Sequence, residues 1–294
     1  MKILYGVLCH KNTKVLRKTI EVLSKSNIIL VHVDKKTNIN EFSEYKKNPN
    51  VILLSERENV RWGEFSQIKS MINILQYSKK YKYDYLSFIS GECLIIKSDS
   101  EIKRILEKYN GKEFIGIDKK INKQQIEKRV KFIYPEWRFN KNCLDVKLFL
   151  KIKRYIQIKF NIFKINKLYN KLPTLYKGSN WFTISESLVD YILKFIEEHK
   201  DYLNAYKYSL CCDEVFFQTI VMNSRYRENI YNLNAEDDDN LMSLRYIDWV
   251  SGPEYPKVLN IKELKDIVDT ECIIARKCSE NIRFEEYDKL IDNN

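Results

Sequence analysis

The sequence predicts an α/β protein with a Rossmann-like, mostly parallel twisted sheet flanked by helices. Apolar segments with the length and composition of buried strands occupy residues 3–9, 28–34, 51–54 and 85–93. Segments with helical spacing of apolar residues lie between them, at 13–23 and 65–77. Strands that alternate with helices in this way favour right-handed β-α-β connections and a parallel sheet. The sequence has no G-x-G-x-x-G and no P-loop, which disfavours a dinucleotide oxidoreductase and a kinase.

Polar or aromatic side chains follow each predicted strand. His10 comes directly after the first strand and Asp34 ends the second. Trp62 lies in the loop after the third strand, and Glu92 lies near the end of the fourth. Ligands of open parallel sheets bind at the carboxyl ends of the strands, so these side chains are predicted to face one crevice. Asp34 could equally cap the turn at 35–38, and core packing explains His10 and Trp62 as well as ligand binding does.

The net charge of +11 is concentrated in one segment. Residues 119–171 contain 16 Lys plus Arg against 3 Asp plus Glu, so the rest of the chain sums to −2. The segment has one proline and no glycine, which predicts a helical excursion from the sheet. A local basic patch indicates an anionic partner, which could be a phosphate-bearing substrate, a membrane surface or nucleic acid. A solvated basic face is the alternative.

Two adjacent carboxylates, Asp213 and Glu214, open an apolar segment that predicts a helix. An N-capped helix would hold Glu214 at a buried helix N-terminus facing the cleft, where a carboxylate can act as a general base. The alternative is that both acids only complement the helix dipole. A further acidic run at 236–239 is predicted to be a solvated loop.

The seven cysteines lack C-x-x-C spacing and lie in apolar segments, which predicts reduced core thiols. No run of about 18 apolar residues is present, and the N-terminal segment has the pattern of a strand. We therefore expect a cytoplasmic protein, peripheral at the inner face of a bacterial membrane if the basic segment rests on an anionic leaflet.

Several short motifs point to one family. They are His32-Val33-Asp34-Lys35-Lys36, Val60-Arg61-Trp62-Gly63 with Ser66, Ser90-Gly91-Glu92, Gly178-Ser179-Asn180-Trp181-Phe182, Asp213-Glu214 with Gln218-Thr219, and Ala275-Arg276-Lys277. In this order, over roughly residues 1–280, the motifs resemble the core-2/I-branching β-1,6-N-acetylglucosaminyltransferase and peptide O-xylosyltransferase family. The resemblance implies a GT-A glycosyltransferase fold. It also implies inverting transfer of GlcNAc or xylose from a UDP-sugar to a hydroxyl of a glycan or lipid-linked glycan, without a divalent metal.

Under this resemblance the chain is a single GT-A catalytic domain over 1–294. Its nucleotide-binding half is 1–118, the basic excursion is 119–172, and the acceptor-binding and catalytic half is 173–294.

The resemblance also implies roles for individual residues. Glu214 matches the general base, and Lys277 matches a cation on the UDP diphosphate. Lys257 by motif position, and Arg276 beside Lys277, are its predicted partners, although a lysine gives a point charge where the family usually has an arginine fork. The predicted uridine pocket comprises His10, Asp34 and Trp62. The predicted substrate contacts are Glu92, Trp181, Asp213, Arg129 and Lys131, although Trp181 could instead be a core residue beside Phe182.

The expectation of no metal also has a basis in the residues. Where related GT-A enzymes carry a D-x-D motif, this chain has Glu92 followed by Cys93. One carboxylate and one thiol make a poor site for Mg²⁺ or Mn²⁺, which require several oxygen ligands. Side-chain cations would then stabilise the leaving group. Two other classes stay open, a nucleic-acid-binding module and a metal-dependent hydrolase; the transferase is favoured because it explains the strand-end residues and the cations together.

Overall fold

A computed structural model describes residues 1–139, 148–160, 162–234 and 238–292. The strands are β1 (Ile3–Cys9), β2 (Ile28–Val33), β3 (Val51–Leu53), β4 (Tyr85–Ser90), β5 (Cys93–Ile95), β6 (Phe132–Ile133), β7 (Lys164–Ile165), β8 (Thr183–Ser185), β9 (Arg245–Ile247) and β10 (Ile274–Arg276). The helices are α1 (Lys14–Leu23), α2 (Phe65–Ser78), α3 (Asp99–Lys108), α4 (Lys123–Lys131), α5 (Leu148–Lys159), α6 (Glu186–Glu198), α7 (Lys200–Ala205), α8 (Asp213–Met222), α9 (Asp239–Met242), α10 (Ile261–Ile267) and α11 (Phe284–Asp292).

The central sheet has the strand order β3-β2-β1-β4-β8. The first four strands are parallel, and β8 joins β4 in the antiparallel sense. Leu8 of β1 is in register with His32 of β2 and with Ser90 of β4, so the carboxyl ends of these strands meet at one edge. The predicted α/β class, with a mostly parallel sheet flanked by helices, is confirmed.

Alternation along the strands explains why both faces of the sheet carry helices. In β1, Leu4 packs in a cluster with α2, α6 and α8, whereas Ile3 and Tyr5 pack on the other face with α1 and α3. Successive strand side chains point to opposite faces, so a strand that is apolar at every position needs cover on both. The alternating strand and helix pattern of the sequence reflects this arrangement.

Local signals mark where several helices begin. Thr13 caps α1 by accepting from the Leu16 amide at 3.0 Å. Ser98 and Ser185 cap α3 and α6 in the same way, and Asn260 forms a capping box with Glu263 at α10. The pattern at 13–23 predicts α1, but α3 and α11 were not predicted.

A smaller sheet of β5, β10 and β9 lies beside the central one. The fully buried Arg245 of β9 joins the two sheets, donating to Ser87 Oγ at 3.0 Å, to the Phe88 carbonyl at 3.1 Å and to Thr183 Oγ1 at 3.1 Å. In the small sheet Arg276 is in register with Cys93. The pairing therefore brings Arg276 to the end of β4, where Glu92 lies.

The basic segment leaves the sheet after Asp118 and contains α4, β6, α5 and β7 in its described part. Of the six described cysteines, Cys211 is partly buried and the other five are buried, and Cys143 lies outside the described residues. No helix in the described ranges is long and apolar enough to cross a membrane.

Candidate active site

Hydrogen bonds join the carboxyl end of β1 to the end of β2 and the turn that follows it. The Asp34 amide donates to the Cys9 carbonyl at 2.8 Å, and Thr37 Oγ1 donates to the His10 carbonyl at 2.8 Å. The His10 side chain is exposed rather than in the core. Asp34 is buried and its Oδ1 accepts from the Lys36 amide at 2.9 Å. Asp34 therefore does cap the following turn, and it lies at the carboxyl end of β2.

The loop before α2 contacts the turn that follows β2. Lys36 Nζ lies 3.3 Å from Asp34 Oδ2 and donates to the Val60 carbonyl at 2.5 Å. Two residues further on, the Trp62 side chain is 60% exposed, which is not the exposure of a core residue. Buried His32, whose pKa is lowered by burial, accepts from the Glu58 amide at 2.8 Å and so holds the start of this loop.

The same loop contacts the N-terminus of α8. Gly63 has a φ of +72°, which glycine adopts without strain, and its carbonyl accepts from the Cys211 amide at 2.7 Å. The Gly63 amide donates to Gln67 Oε1, and Gln67 Nε2 donates to Asp213 Oδ2 at 3.3 Å. The Trp62 loop is thereby held against the adjacent carboxylates.

The start of α8 differs from the prediction. Its N-cap is Cys212, which makes no side-chain capping bond, and Asp213 and Glu214 follow as the first two helical residues. Asp213 is the buried acid, 5% exposed, whereas the Glu214 side chain is 37% exposed. Burial first, and the Glu214 carboxylate second, raise the pKa of Asp213. Its Oδ2 accepts from Asn180 Nδ2 at 2.8 Å, so it does more than complement the helix dipole.

Glu214 is held by two cations. Arg129 Nη1 donates to its Oε2 at 2.7 Å and to the Cys211 carbonyl at 3.0 Å. Lys177 Nζ lies 3.6 Å from the same Oε2 and 3.2 Å from Asp118 Oδ2. The Glu214 carbonyl also accepts from the Gly178 amide at 2.9 Å. Both the backbone and the carboxylate of Glu214 are thus fixed, with about a third of the side chain still open to solvent.

Asp239 corrects the prediction of a solvated acidic loop. It begins α9, and its Oδ2 accepts from the Ser179 amide at 2.7 Å. Burial raises its pKa to about 6, with Lys177 acting against and Asp118 in favour of that rise. The other residues of the run differ, since Asp238 is an exposed N-cap and 236–237 lie outside the described residues.

Two glycines permit this arrangement. A Cβ on Gly178 would lie 1.8 Å from the Gly116 carbonyl oxygen, and a Cβ on Gly116 would lie 2.0 Å from the Asp239 carbonyl oxygen. The three backbone segments that supply Asp118, Lys177 and Asp239 can approach this closely only without side chains at both glycines.

A second charged group lies at the end of β4. Glu92 Oε2 is 3.3 Å from Arg276 Nη2, and Glu92 Oε1 is 3.4 Å from Lys277 Nζ. Arg276 Nε also donates to Ser90 Oγ at 3.2 Å, and its guanidinium lies 5.1 Å from the centre of the partly buried Trp181 ring. Asn180, which bonds Asp213, is adjacent to Trp181, which lies against Arg276, so the two charged groups are neighbours.

Two predicted site residues have other partners. The Lys257 ammonium pairs with Glu263 Oε1 at 3.1 Å, although the Leu259 amide nearby donates to the Lys277 carbonyl at 2.8 Å. Lys131 lies 5.9 Å over the Tyr169 ring. It is two residues from Arg129 on α4 and so points to nearly the opposite side of that helix, away from Glu214.

Metal ligands do not converge in the described part of the chain, where no group of three or more His, Cys, Asp or Glu side chains could hold an ion. The Cys93 thiol is buried beside the Ser90 hydroxyl, 3.2 Å away. Sequence reasoning missed Lys177, Asp118 and Asp239. For Lys177 and Asp118 the available signal was a nearby glycine, Gly178 and Gly116 respectively, whereas no such signal lies beside Asp239.

These features define a Rossmann-like α/β protein with two neighbouring charged groups, one of them at the carboxyl edge of its sheet, the class to which GT-A glycosyltransferases belong. The chain belongs to the core-2/I-branching enzyme family, whose sequence model matches residues 3–268. The resemblance inferred from the motifs is confirmed, and membership of this family implies a glycosyltransferase.

Comparisons with individual proteins add little. No curated protein matches the chain significantly. Among solved structures, mannose-1-phosphate geranyltransferase from Thermus thermophilus is similar with 10% sequence identity and a TM-score of 0.28, over 67% of this chain and 54% of that one. The chain thus spans about half the length of that protein.

Proposed function

We propose that the protein is an inverting, metal-independent glycosyltransferase that moves GlcNAc or xylose from a UDP-sugar to a hydroxyl of a glycan or lipid-linked glycan. The observation that carries the proposal is the placement of Glu214. It is a part-exposed carboxylate held by Arg129 and Lys177, next to a second charged group, linked through Asn180 and Trp181, that carries Arg276 and Lys277. In a family of branching enzymes, this arrangement supplies a base and a cationic leaving-group site.

The proposed reaction has one displacement step. The acceptor hydroxyl gives its proton to Glu214 while its oxygen attacks the anomeric carbon of the donor from the face opposite the diphosphate. The bond between the anomeric carbon and the diphosphate oxygen breaks, and its electron pair leaves with UDP. One displacement inverts the anomeric configuration. Arg129 and Lys177 orient the carboxylate and keep it in place.

The leaving group gains negative charge in this step, and Arg276 and Lys277 are proposed to meet it. Both cations are paired with Glu92. A bound diphosphate would replace that carboxylate as their partner, and Glu92 would then turn to donor-sugar hydroxyls. Lys257 would act only after leaving Glu263. Supply of positive charge by side chains is what removes the need for a divalent ion.

The remaining contacts follow from position. His10, Asp34 and Trp62 surround the ends of β1 and β2 and are proposed to hold the uridine. Trp181 offers a ring face for a sugar, and Asp213 fixes Asn180 beside it. Lys131 has no part in this proposal, because it points away from Glu214.

A panel of UDP-sugars tests the proposal. UDP release and thermal stabilisation are measured for UDP-GlcNAc, UDP-xylose, UDP-glucose and UDP-galactose, each with EDTA and with added Mn²⁺. We expect one of the first two donors to be selected and its turnover to be the same in EDTA. Loss of activity in EDTA would instead favour a metal-dependent hydrolase, and no stabilisation by any UDP-sugar would overturn the proposal.

A further inference from the structure

The α5 helix presents an apolar stripe to solvent. Ile152, Tyr155 and Ile156 lie three and four positions apart, on one side of the helix, and are 52%, 61% and 42% exposed. Exposed apolar residues on one face of a helix are unusual unless something covers that face. The stripe continues beyond the helix at exposed Phe160, Ile162 and Ile165.

The side of α5 that carries Arg154 and Gln157 is the less exposed one, although Leu150 and Ile158 on it are still 40% and 41% exposed. The Arg154 guanidinium lies 4.9 Å from the centre of the Trp137 ring. Ile152 and Ile156 are each two positions from Arg154 and so lie on the opposite side of the helix. After the helix, Phe163 packs on Phe132 and Tyr134, with ring centres 6.3 and 4.9 Å apart. The helix is therefore anchored with its apolar stripe pointing outward.

The charge around the stripe has a single sign. Residues 148–167 contain six cations and no Asp or Glu. Three of the cations, Lys151, Lys153 and Lys159, are exposed on α5 itself. An apolar helix face with cations beside it is the pattern of a helix that lies in the interface of an anionic bilayer.

We propose that α5 and the described segment that follows it, residues 150–160 and 162–165, form a docking surface for bilayers that contain anionic phospholipid. At 12 residues α5 spans about 18 Å, which is too short to cross a hydrocarbon core of about 30 Å. The helix therefore lies along the surface, with Ile152, Tyr155 and Ile156 among the acyl chains and the lysines at the phosphates.

The same basic segment supplies Arg129 to Glu214. Docking would consequently hold the acceptor side of the cleft near the bilayer, which suits a lipid-linked acceptor. This consequence rests on the proposed function, whereas the docking itself does not.

Vesicle binding tests the docking without any substrate. Partitioning of the full chain is measured by co-sedimentation with phosphatidylcholine vesicles, with and without phosphatidylglycerol. Three variants are compared: Lys151→Gln with Lys153→Gln and Lys159→Gln; Ile152→Ser with Ile156→Ser; and, as a control of equal charge, Lys25→Gln with Lys46→Gln and Lys47→Gln. The replaced side chains are exposed, so circular dichroism should show that every variant is folded.

We expect the wild type to prefer anionic vesicles and to lose that preference in high salt. Each cation removed from α5 should weaken binding about fivefold, or about 100-fold for the three together. The serine variant should bind at least about tenfold more weakly, and the control should change little. Equal binding to neutral and anionic vesicles, or an equal loss in the control, would overturn the proposal. Two results obtained without vesicles would also overturn the proposal. One is tight, salt-dependent binding of an RNA oligonucleotide by a protein that does not bind vesicles, and the other is dimerisation that the serine variant abolishes.

Discussion

Replacing Glu214 by glutamine should separate catalysis from folding. A general base contributes about 100-fold to 10,000-fold to turnover, and the variant should lose that amount. Glutamine keeps the volume of the side chain and an oxygen that can accept from Arg129 Nη1. The lost ion pairs are part-exposed, with Glu214 37% and Arg129 23% exposed, so they contribute about 1 kcal/mol or less. The lost helix-dipole interaction adds at most about 1 kcal/mol. The melting temperature should therefore fall by only a few degrees.

The assay is the rate of UDP release from the donor selected in the panel, with UDP affinity measured by calorimetry on the same protein. Affinity for UDP should be retained, because Glu214 is proposed to contact the acceptor rather than the nucleotide. Glu186→Gln is the matched control: it removes an acid from the first turn of α6 that is paired with Lys82 at 3.7 Å and lies at the amino end of β4, the opposite end from Glu92. A Glu214→Gln protein that keeps more than about a tenth of wild-type turnover would contradict the base assignment.

Three other outcomes are expected. Lys277→Met should weaken UDP binding by about tenfold or more, since a charge-assisted contact to phosphate is lost, while Lys265→Met, outside the cleft, should leave the dissociation constant unchanged; equal effects by calorimetry would count against the phosphate site. Gly178→Ala should lower the free energy of unfolding by about 1–3 kcal/mol in urea titrations, because its Cβ would overlap the Gly116 carbonyl; a neutral result would mean that the backbones can separate. In the folded protein the pKa of Asp239 is raised from 3.8 to about 6. Its protonated carboxyl therefore stabilises the fold at a pH below about 3.8, and about 3 kcal/mol of that stability is lost as the pH rises from there through about 6. Asp239→Asn should remove this loss, and parallel stability curves for the two proteins across that pH range would refute it.

The sheet could be predicted because its signals are local. Apolar segments of strand length and the Thr13 cap lie within a few residues of the elements they define. The carboxyl-edge position of Asp34 and Glu92 followed from the general geometry of parallel sheets. The antiparallel joining of β8 to β4 could not be predicted, because it depends on a pairing between Ser87 and Thr183, far apart in the sequence.

The contacts around Glu214 could not be predicted for the same reason. Lys177 and Asp118 come from different segments, and only the packed glycine backbones bring them together. The acidic run at 236–239 has the composition of a solvated loop, and nothing local shows that Asp239 alone turns inward to the Ser179 amide. The expectation of an N-capped α8 with a buried Glu214 failed, because Cys212 makes no side-chain capping bond and Asp213, not Glu214, is the buried acid.

The glycine contacts determine where the specificity of this enzyme can change. Gly116 and Gly178 have room for no larger side chain, so that wall of the cleft cannot be reshaped by substitution. The loop before α2 differs, because its Trp62 side chain is 60% exposed. Directed evolution toward a new specificity should therefore accumulate its productive changes in that loop, and almost none where the three backbones touch.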